Sequence, residues 1–122
     1  MAVVVGYAGN DEGRAALARA AAEASLRGTS LLVVDTGREP TPAAELAAAL
    51  DALDVEHEVV PPGPVRDAAE EVIAAAAGAE LVVIGLRRRS SVGKLILGAN
   101  ATRILLESPC PVITVKPPAP AR

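Results

Sequence analysis

Glu80-Leu81-Val82-Val83-Ile84-Gly85-Leu86-Arg87-Arg88-Arg89-Ser90-Ser91 opens a segment that runs to Lys116 and passes from an aliphatic run to a basic loop and then a helix. Leu81 to Ile84 is an unbroken aliphatic run closed by a glycine, as expected of a strand covered on both faces. After the arginine-rich loop come a short apolar turn, Val92 to Leu97, then Gly98-Ala99-Asn100 and a helical segment. Glycines at a strand end and a helix start let backbone approach a ligand closely, and the free N–H groups of the helix, with arginines beside them, suit an anion. Any phosphate bound by this chain is expected here.

The same alternation extends outward in both directions. Ala2-Val3-Val4-Val5, closed by Gly6, is a second buried run. Asn10 is placed to cap a helix of Ala, Leu and Arg that ends near Arg27, with Gly28 as its stop. Ser30 to Val34 forms another buried strand, left through Asp35-Thr36-Gly37. Ala43 to Leu53 carries Leu46, Leu50 and Leu53 on one helical face. Val55 to Val60 alternates apolar and charged residues, as an edge strand with one wet side does.

Pro61-Pro62-Gly63-Pro64 is a rigid turn whose last proline is placed to begin the third helix. That helix buries Val65, Ala69, Val72, Ile73 and Ala76, and Gly78 ends it. Val112-Ile113-Thr114-Val115 is the last strand. Pro117-Pro118 and the residues to 122 cannot extend a sheet and are expected to be a mobile proline-rich tail, leaving 1–116 as one domain. Five strands alternating with four helices give an α/β three-layer sandwich, a parallel sheet with right-handed crossovers.

Composition narrows the function. At 122 residues the chain suits one core, and with 51% hydrophobic but 1% aromatic residues, Ala, Val, Leu and Ile must build it. A formal charge of −3 and a single ring, Tyr7, disfavour nucleic acid as a partner. One cysteine forms no internal disulfide and suits a reducing compartment. There is no apolar run of the roughly 18 residues a bilayer span needs, and no basic start with an apolar core at the amino end. A cytoplasmic protein with no membrane partner is expected.

The Gly85-to-Gly98 segment closely resembles the signature of the universal stress protein family: glycine, two residues, glycine, nine residues, glycine, then Ser or Thr. Gly85 and Gly98 stand at the right separation; Arg88 replaces the middle glycine and Ala99 the closing hydroxyl residue. Ser108-Pro109-Cys110-Pro111-Val112 matches the family's ending, and Val3-Val4-Val5-Gly6 with the Arg/Ala-rich helix matches its start, so the resemblance covers the whole chain. It implies strand order 3-2-1-4-5, a Rossmann-like sheet of the adenine nucleotide alpha hydrolase-like kind. That order reverses between strands 1 and 4, where such folds bind ligands.

The resemblance also implies ATP or another adenine nucleotide as ligand, in a site lined by Gly6, Tyr7, Ala8, Val33, Ile84, Gly85, Arg87, Arg88, Gly98, Ala99 and Asn100. Nucleotide-binding relatives usually carry an aspartate where this chain has Ala8, so that contact with the nucleoside is missing. Ala99 removes a hydroxyl donor, which costs about 1 kcal/mol for a neutral hydrogen bond. Arg88 either compensates by charge or fills the cleft. Members commonly dimerise through the last strand, and Val112–Val115 has no charge or proline to protect a sheet edge. A homodimer through that strand is expected; a protein partner stays unnamed.

Other candidates have bland readings beside them. Gly6 to Gly13 lacks G-x-G-x-x-G spacing, and Asp11 and Glu12 already satisfy the positive end of the first helix, so it reads as a capped turn. Asp35 could reach a ribose hydroxyl but reads as a turn former. Cys110, between prolines, is a small buried hydrophobe, and His57 has no second His or Cys for a metal site. No metal and no catalytic set is expected. The reading is a regulatory module of stress response that is not an enzyme and binds an adenine nucleotide weakly. The alternatives are a dimeric interaction module that binds no nucleotide, and a very weak ATPase.

Overall fold

The computed structural model describes residues 1–64, 67–88 and 95–117. Its elements in chain order are β1 (Ala2–Tyr7), α1 (Asp11–Arg27), β2 (Ser30–Asp35), α2 (Ala43–Asp51), β3 (His57–Val59), α3 (Ala68–Ala75), β4 (Leu81–Gly85), β5 (Arg87–Arg88), β6 (Leu95–Ile96), α4 (Ala99–Glu107) and β7 (Val112–Val115). The main sheet is parallel throughout in the order β3-β2-β1-β4-β7, which in terms of its five strands is the expected 3-2-1-4-5.

Strand β1 is the centre because both its edges are paired. Val5 lies opposite Val33 of β2 on one side and Val83 of β4 on the other. Its alternate side chains feed two cores. Val3, Val5 and Tyr7 join Leu31, Val33, Leu81 and Val83 under Ala16, Leu17, Ala20 and Ala24 of α1 and Leu50 of α2. Val4 joins Val34, Val82 and Ile84 against Ala69 and Val72 of α3, Ala76 just past its end, and Ile104 of α4. Both faces of β1 and β4 are therefore dry, which is why these strands contain no polar side chain before Tyr7.

Helix α1 begins and ends as its sequence indicates. The Asn10 side chain accepts from the Gly13 N–H at 2.8 Å, and Gly28 closes the helix in the left-handed region at φ 63°. Helix α3 starts later than its proline suggested. Pro64 lies ahead of it, and Asp67 is the cap, accepting from the Glu70 N–H at 3.1 Å. A carboxylate satisfies a free N–H where proline merely omits one, so the acid sets the start. Ala69, Val72 and Ala76 are buried and Ile73 packs beside them; Val65 lies outside the described residues.

Three further expectations are corrected. Strand β3 has only three residues, all exposed, while Val55 and Val60 on either side pack against opposite cores. The expected arginine-rich loop and apolar turn after β4 contain an antiparallel pair, Arg87 opposite Ile96 and Arg88 opposite Leu95, separate from the main sheet. Arg89, Ser90, Ser91 and Val92, and the side chain of Arg88, lie outside what the structure describes. Pro117, grouped with the tail, is buried; Pro118 onward is again outside the described residues.

Candidate functional site

At the carboxyl end of the sheet the chain leaves β1 toward one side and β4 toward the other. A cleft of about 730 Å³ opens between them. Gly6, Ala8, Ile84, Gly85, Arg87, Gly98, Ala99 and Asn100 all line it. Tyr7 and Val33 do not: they are 1% and 0% exposed in the core under α1 and α2. In a sheet dry on both faces, nothing in the local sequence tells which alternate residue faces the core. The chain's one Tyr, with no Phe or Trp beside it in the sequence, is thus withdrawn from base stacking.

Two helix amino ends border this cleft, with different finishes. At α1, Asn10 caps, Asp11 pairs with Arg14 at 2.7 Å, and the Glu12 carboxylate complements the positive end. At α4, Gly98 is the cap residue and provides no side-chain bond, and the first turn holds no acid. The Gly98 carbonyl accepts from the Thr102 N–H and hydroxyl, both at 2.9 Å, so the N–H groups of Ala99, Asn100 and Ala101 precede the helical ladder. The Arg87 guanidinium lies over this end: a Cβ on Gly98 would stand 2.9 Å from its Nη2. A cation on the positive end of a helix is unfavourable unless an anion sits between them.

The two signature glycines therefore do different work. Gly98 leaves room for the Arg87 side chain. Gly85, expected to let backbone approach a ligand, instead makes room for α1, since a Cβ there would meet the Glu12 carbonyl oxygen at 2.3 Å. Gly13 matches it from the helix side, where a Cβ would collide with the Ala8 carbonyl oxygen. These two contacts seat the start of α1 on the ends of β1 and β4.

The fold brings in residues that local patterns did not nominate: Asn10, Glu12, Thr36, Gly37 and Arg38 also line the cleft. Thr36 donates from its hydroxyl to the Tyr7 carbonyl at 3.1 Å, tying the loop after β2 to the end of β1. Asp35 is a turn former. It accepts from the Thr41 N–H at 2.7 Å, the Thr41 hydroxyl at 3.0 Å and the Gly37 N–H at 3.4 Å. Their one available signal was position, since the loop after β2 borders the switch point of any sheet with this order.

Away from the cleft, charge serves the scaffold. Arg103 of α4 reaches Asp67 at 3.3 Å and Glu107 at 3.1 Å and also bonds Glu70, bracing α4 against the start of α3. The Glu70 backbone N–H, then Arg103, hold the Asp67 carboxyl below its ordinary value. Arg19 and Arg27 do the same for Glu23 on α1. A lowered carboxylate contributes its stability above the ordinary range and loses it as pH falls through the lowered value. His57 contacts the Val55 carbonyl at 3.0 Å, and Cys110 sits beside Ser108, half-buried. Among the described residues, no three of His, Cys, Asp and Glu gather as metal ligands would, and no helix is long and apolar enough to cross a membrane.

With this geometry in place, known proteins supply context. The model of the universal stress protein family matches residues 40–116. A universal stress protein of Mycolicibacterium smegmatis is 43% identical, over 94% of this chain and 97% of its own. The structure of a universal stress protein from Archaeoglobus fulgidus superposes with a TM-score of 0.72 at 30% identity, covering 95% of this chain and 98% of the other. A structure of the universal stress protein from Archaeoglobus fulgidus in complex with dAMP gives a TM-score of 0.70 at 24% identity, with coverage of 95% and 98%.

Proposed function

The chain belongs to the universal stress protein family, and from that premise we propose that it is a regulatory module of stress response that takes an adenine nucleotide in the cleft between β1 and β4. The observation that carries the reading is the open end of α4 with Arg87 laid over it. Unbonded N–H groups and a guanidinium with no acid in that first turn converge on one spot, and a phosphate satisfies both. The Archaeoglobus fulgidus relative solved with dAMP supports the adenine nucleoside as the remainder of the ligand.

Binding is weak. Ala8 offers a methyl group where a nucleoside hydroxyl would seek an acceptor, and Ala99 offers no hydroxyl to a phosphate. The function is regulatory, not catalytic: nucleotide occupancy is read out, and turnover is not required. The site residues are Gly6, Ala8, Ile84, Gly85, Arg87, Arg88, Gly98, Ala99 and Asn100. Calorimetric titration with AMP and ATP tests this. The wild type should bind with modest affinity, Arg87→Gln should weaken binding about tenfold, and Ala99→Ser with Ala8→Asp should strengthen it. Product formation from ATP would overturn the non-enzymatic reading. Absence of binding by wild type and by the restored variant would overturn the nucleotide reading and leave an interaction module.

The protein acts as a cytoplasmic homodimer joined through β7. Among the described residues this strand pairs only with β4. Pro111 and Val115 present their carbonyls to β4, so by alternation Val112 and Thr114 present N–H groups to the free edge. Light scattering should report twice the monomer mass, and Thr114→Pro, which spares the β4 side, should yield monomer. A fully dimeric Thr114→Pro variant places the interface elsewhere.

A further inference from the structure

Arg38, on the loop between β2 and α2, is a second guanidinium lining the same cleft, and no carboxylate partner for it stands among the described residues. It stands across the cleft from Arg87. Strands β2 and β4 flank β1 on opposite sides, so the strand ends from which the two loops leave are about 10 Å apart, two inter-strand spacings. A ligand whose phosphate lies on α4 beside Arg87 must extend over the end of β1 to reach the loop after β2. Its ribose then stands above Ala8 and near Arg38.

Among the described residues that line the cleft, no acid stands on the side of β2. A ribose diol is recognised by a carboxylate accepting its hydroxyls. The end of β1 presents the Ala8 methyl, and Asp35, the acid that ends β2, is engaged by Thr41 and Gly37. The Gly37 and Ala8 backbones lie so close that a Cβ on Gly37 would be 3.8 Å from the Ala8 Cβ, so this loop abuts the proposed ribose position. An unengaged guanidinium beside a neutral floor suits an anionic ribose substituent, as in sheets of this kind where an arginine on the loop after the second strand takes a ribose phosphate.

We propose that Arg38 recognises a phosphate on the ribose, so that the preferred ligand is an adenine nucleotide phosphorylated at both its 5′ and a ribose hydroxyl position. The proposal rests on the nucleotide reading of the cleft and specifies its ligand class. Glu12, the acid that lines the cleft, packs on Gly85 of β4 and so lies toward the Arg87 side.

Titration calorimetry of the full chain with AMP, adenosine 2′,5′-bisphosphate and adenosine 3′,5′-bisphosphate tests it. One bisphosphate should bind about tenfold or more tighter than AMP, the gain expected of one charge-assisted contact. Arg38→Gln should bring that bisphosphate to the AMP level while leaving AMP itself within about twofold, and which isomer gains tells the position of the phosphate. An unchanged melting temperature for Arg38→Gln verifies the fold. If AMP binds and neither bisphosphate binds tighter, or Arg38→Gln weakens all three equally, the ribose-phosphate inference fails and the nucleotide reading stands. If neither these three nor ATP binds to the wild type or to the Ala99→Ser, Ala8→Asp variant, both fail.

Discussion

Helices α1 and α4 start at the rim of one cleft, and their sequences treat those starts in opposite ways. The α1 start is closed by its own residues: an asparagine cap, two acids in the first turn, and Gly13, which with Gly85 of β4 lets it sit against strand backbone. The α4 start has a glycine cap without a side chain, no acid, and a guanidinium laid across it. A helix end completed from within belongs to the scaffold, because nothing remains for a ligand to satisfy. One left incomplete, with a cation placed where the dipole opposes it, is incomplete until an anion arrives.

Putting the same methyl group at the two starts should separate them most strongly. Gly13→Ala pushes a Cβ to 1.8 Å from the Ala8 carbonyl oxygen, and neither helix nor strand can yield without shifting the core beneath. A loss of about 3 kcal/mol is expected, read as a fall in melting temperature of about 10 °C. Gly98→Ala meets only the far end of a flexible side chain, so about 1 kcal/mol or less should be lost. Equal losses at the two positions would mean that α4 is seated as rigidly as α1, and the contrast would collapse.

Giving α4 the finish that α1 already has comes next. Gly98→Asp supplies a capping carboxylate and a partner for Arg87. Stability should hold or rise by a few tenths of a kcal/mol, while nucleotide affinity drops about tenfold or more as the new charge takes the phosphate's place. Retained binding in this variant would remove α4 as the receptor. The reciprocal change, Asn10→Ala, opens the α1 start. It should cost about 1 kcal/mol in denaturant unfolding and leave nucleotide affinity unchanged.

The sequence revealed each element whose signal is local. Aliphatic runs closed by Gly6 and Gly85 marked strands, and Asn10 and Gly28 bounded α1 to the residue. The start of α3 was equally legible through Asp67 and Glu70, the D-x-x-E spacing of a capping box, but the proline turn drew the reading three residues upstream. Other features had no local signal. In a strand buried on both faces, Val33 and Tyr7 look the same as residues that border the cleft, because no polar alternation distinguishes the sides. Gly85 fits a ligand-approach motif and a helix-packing contact alike, and only the partner, Glu12, separates the two. Arg38 and Thr36 enter the cleft through strand order, a long-range property of the sheet.

Glu12 is the point where the two starts act on each other. It complements the dipole of α1, yet it lines the cleft whose other side is built for an anion, so its charge opposes the ligand that Arg87 attracts. Glu12→Gln keeps the size and removes the charge. Its cost to α1 is a few tenths of a kcal/mol to about 1 kcal/mol, the usual worth of an acid in a first turn. AMP affinity should rise about two- to fivefold, since a like-charge interaction of that order is relieved. The gain is electrostatic and partly open to solvent, so it should shrink as ionic strength is raised from about 0.05 to 0.5 M, where the screening length falls below the reach across the cleft. A gain that persists at high salt would mean that Glu12 obstructs the cleft sterically. No gain at any salt would place the bound phosphate beyond the influence of α1, making the two starts independent.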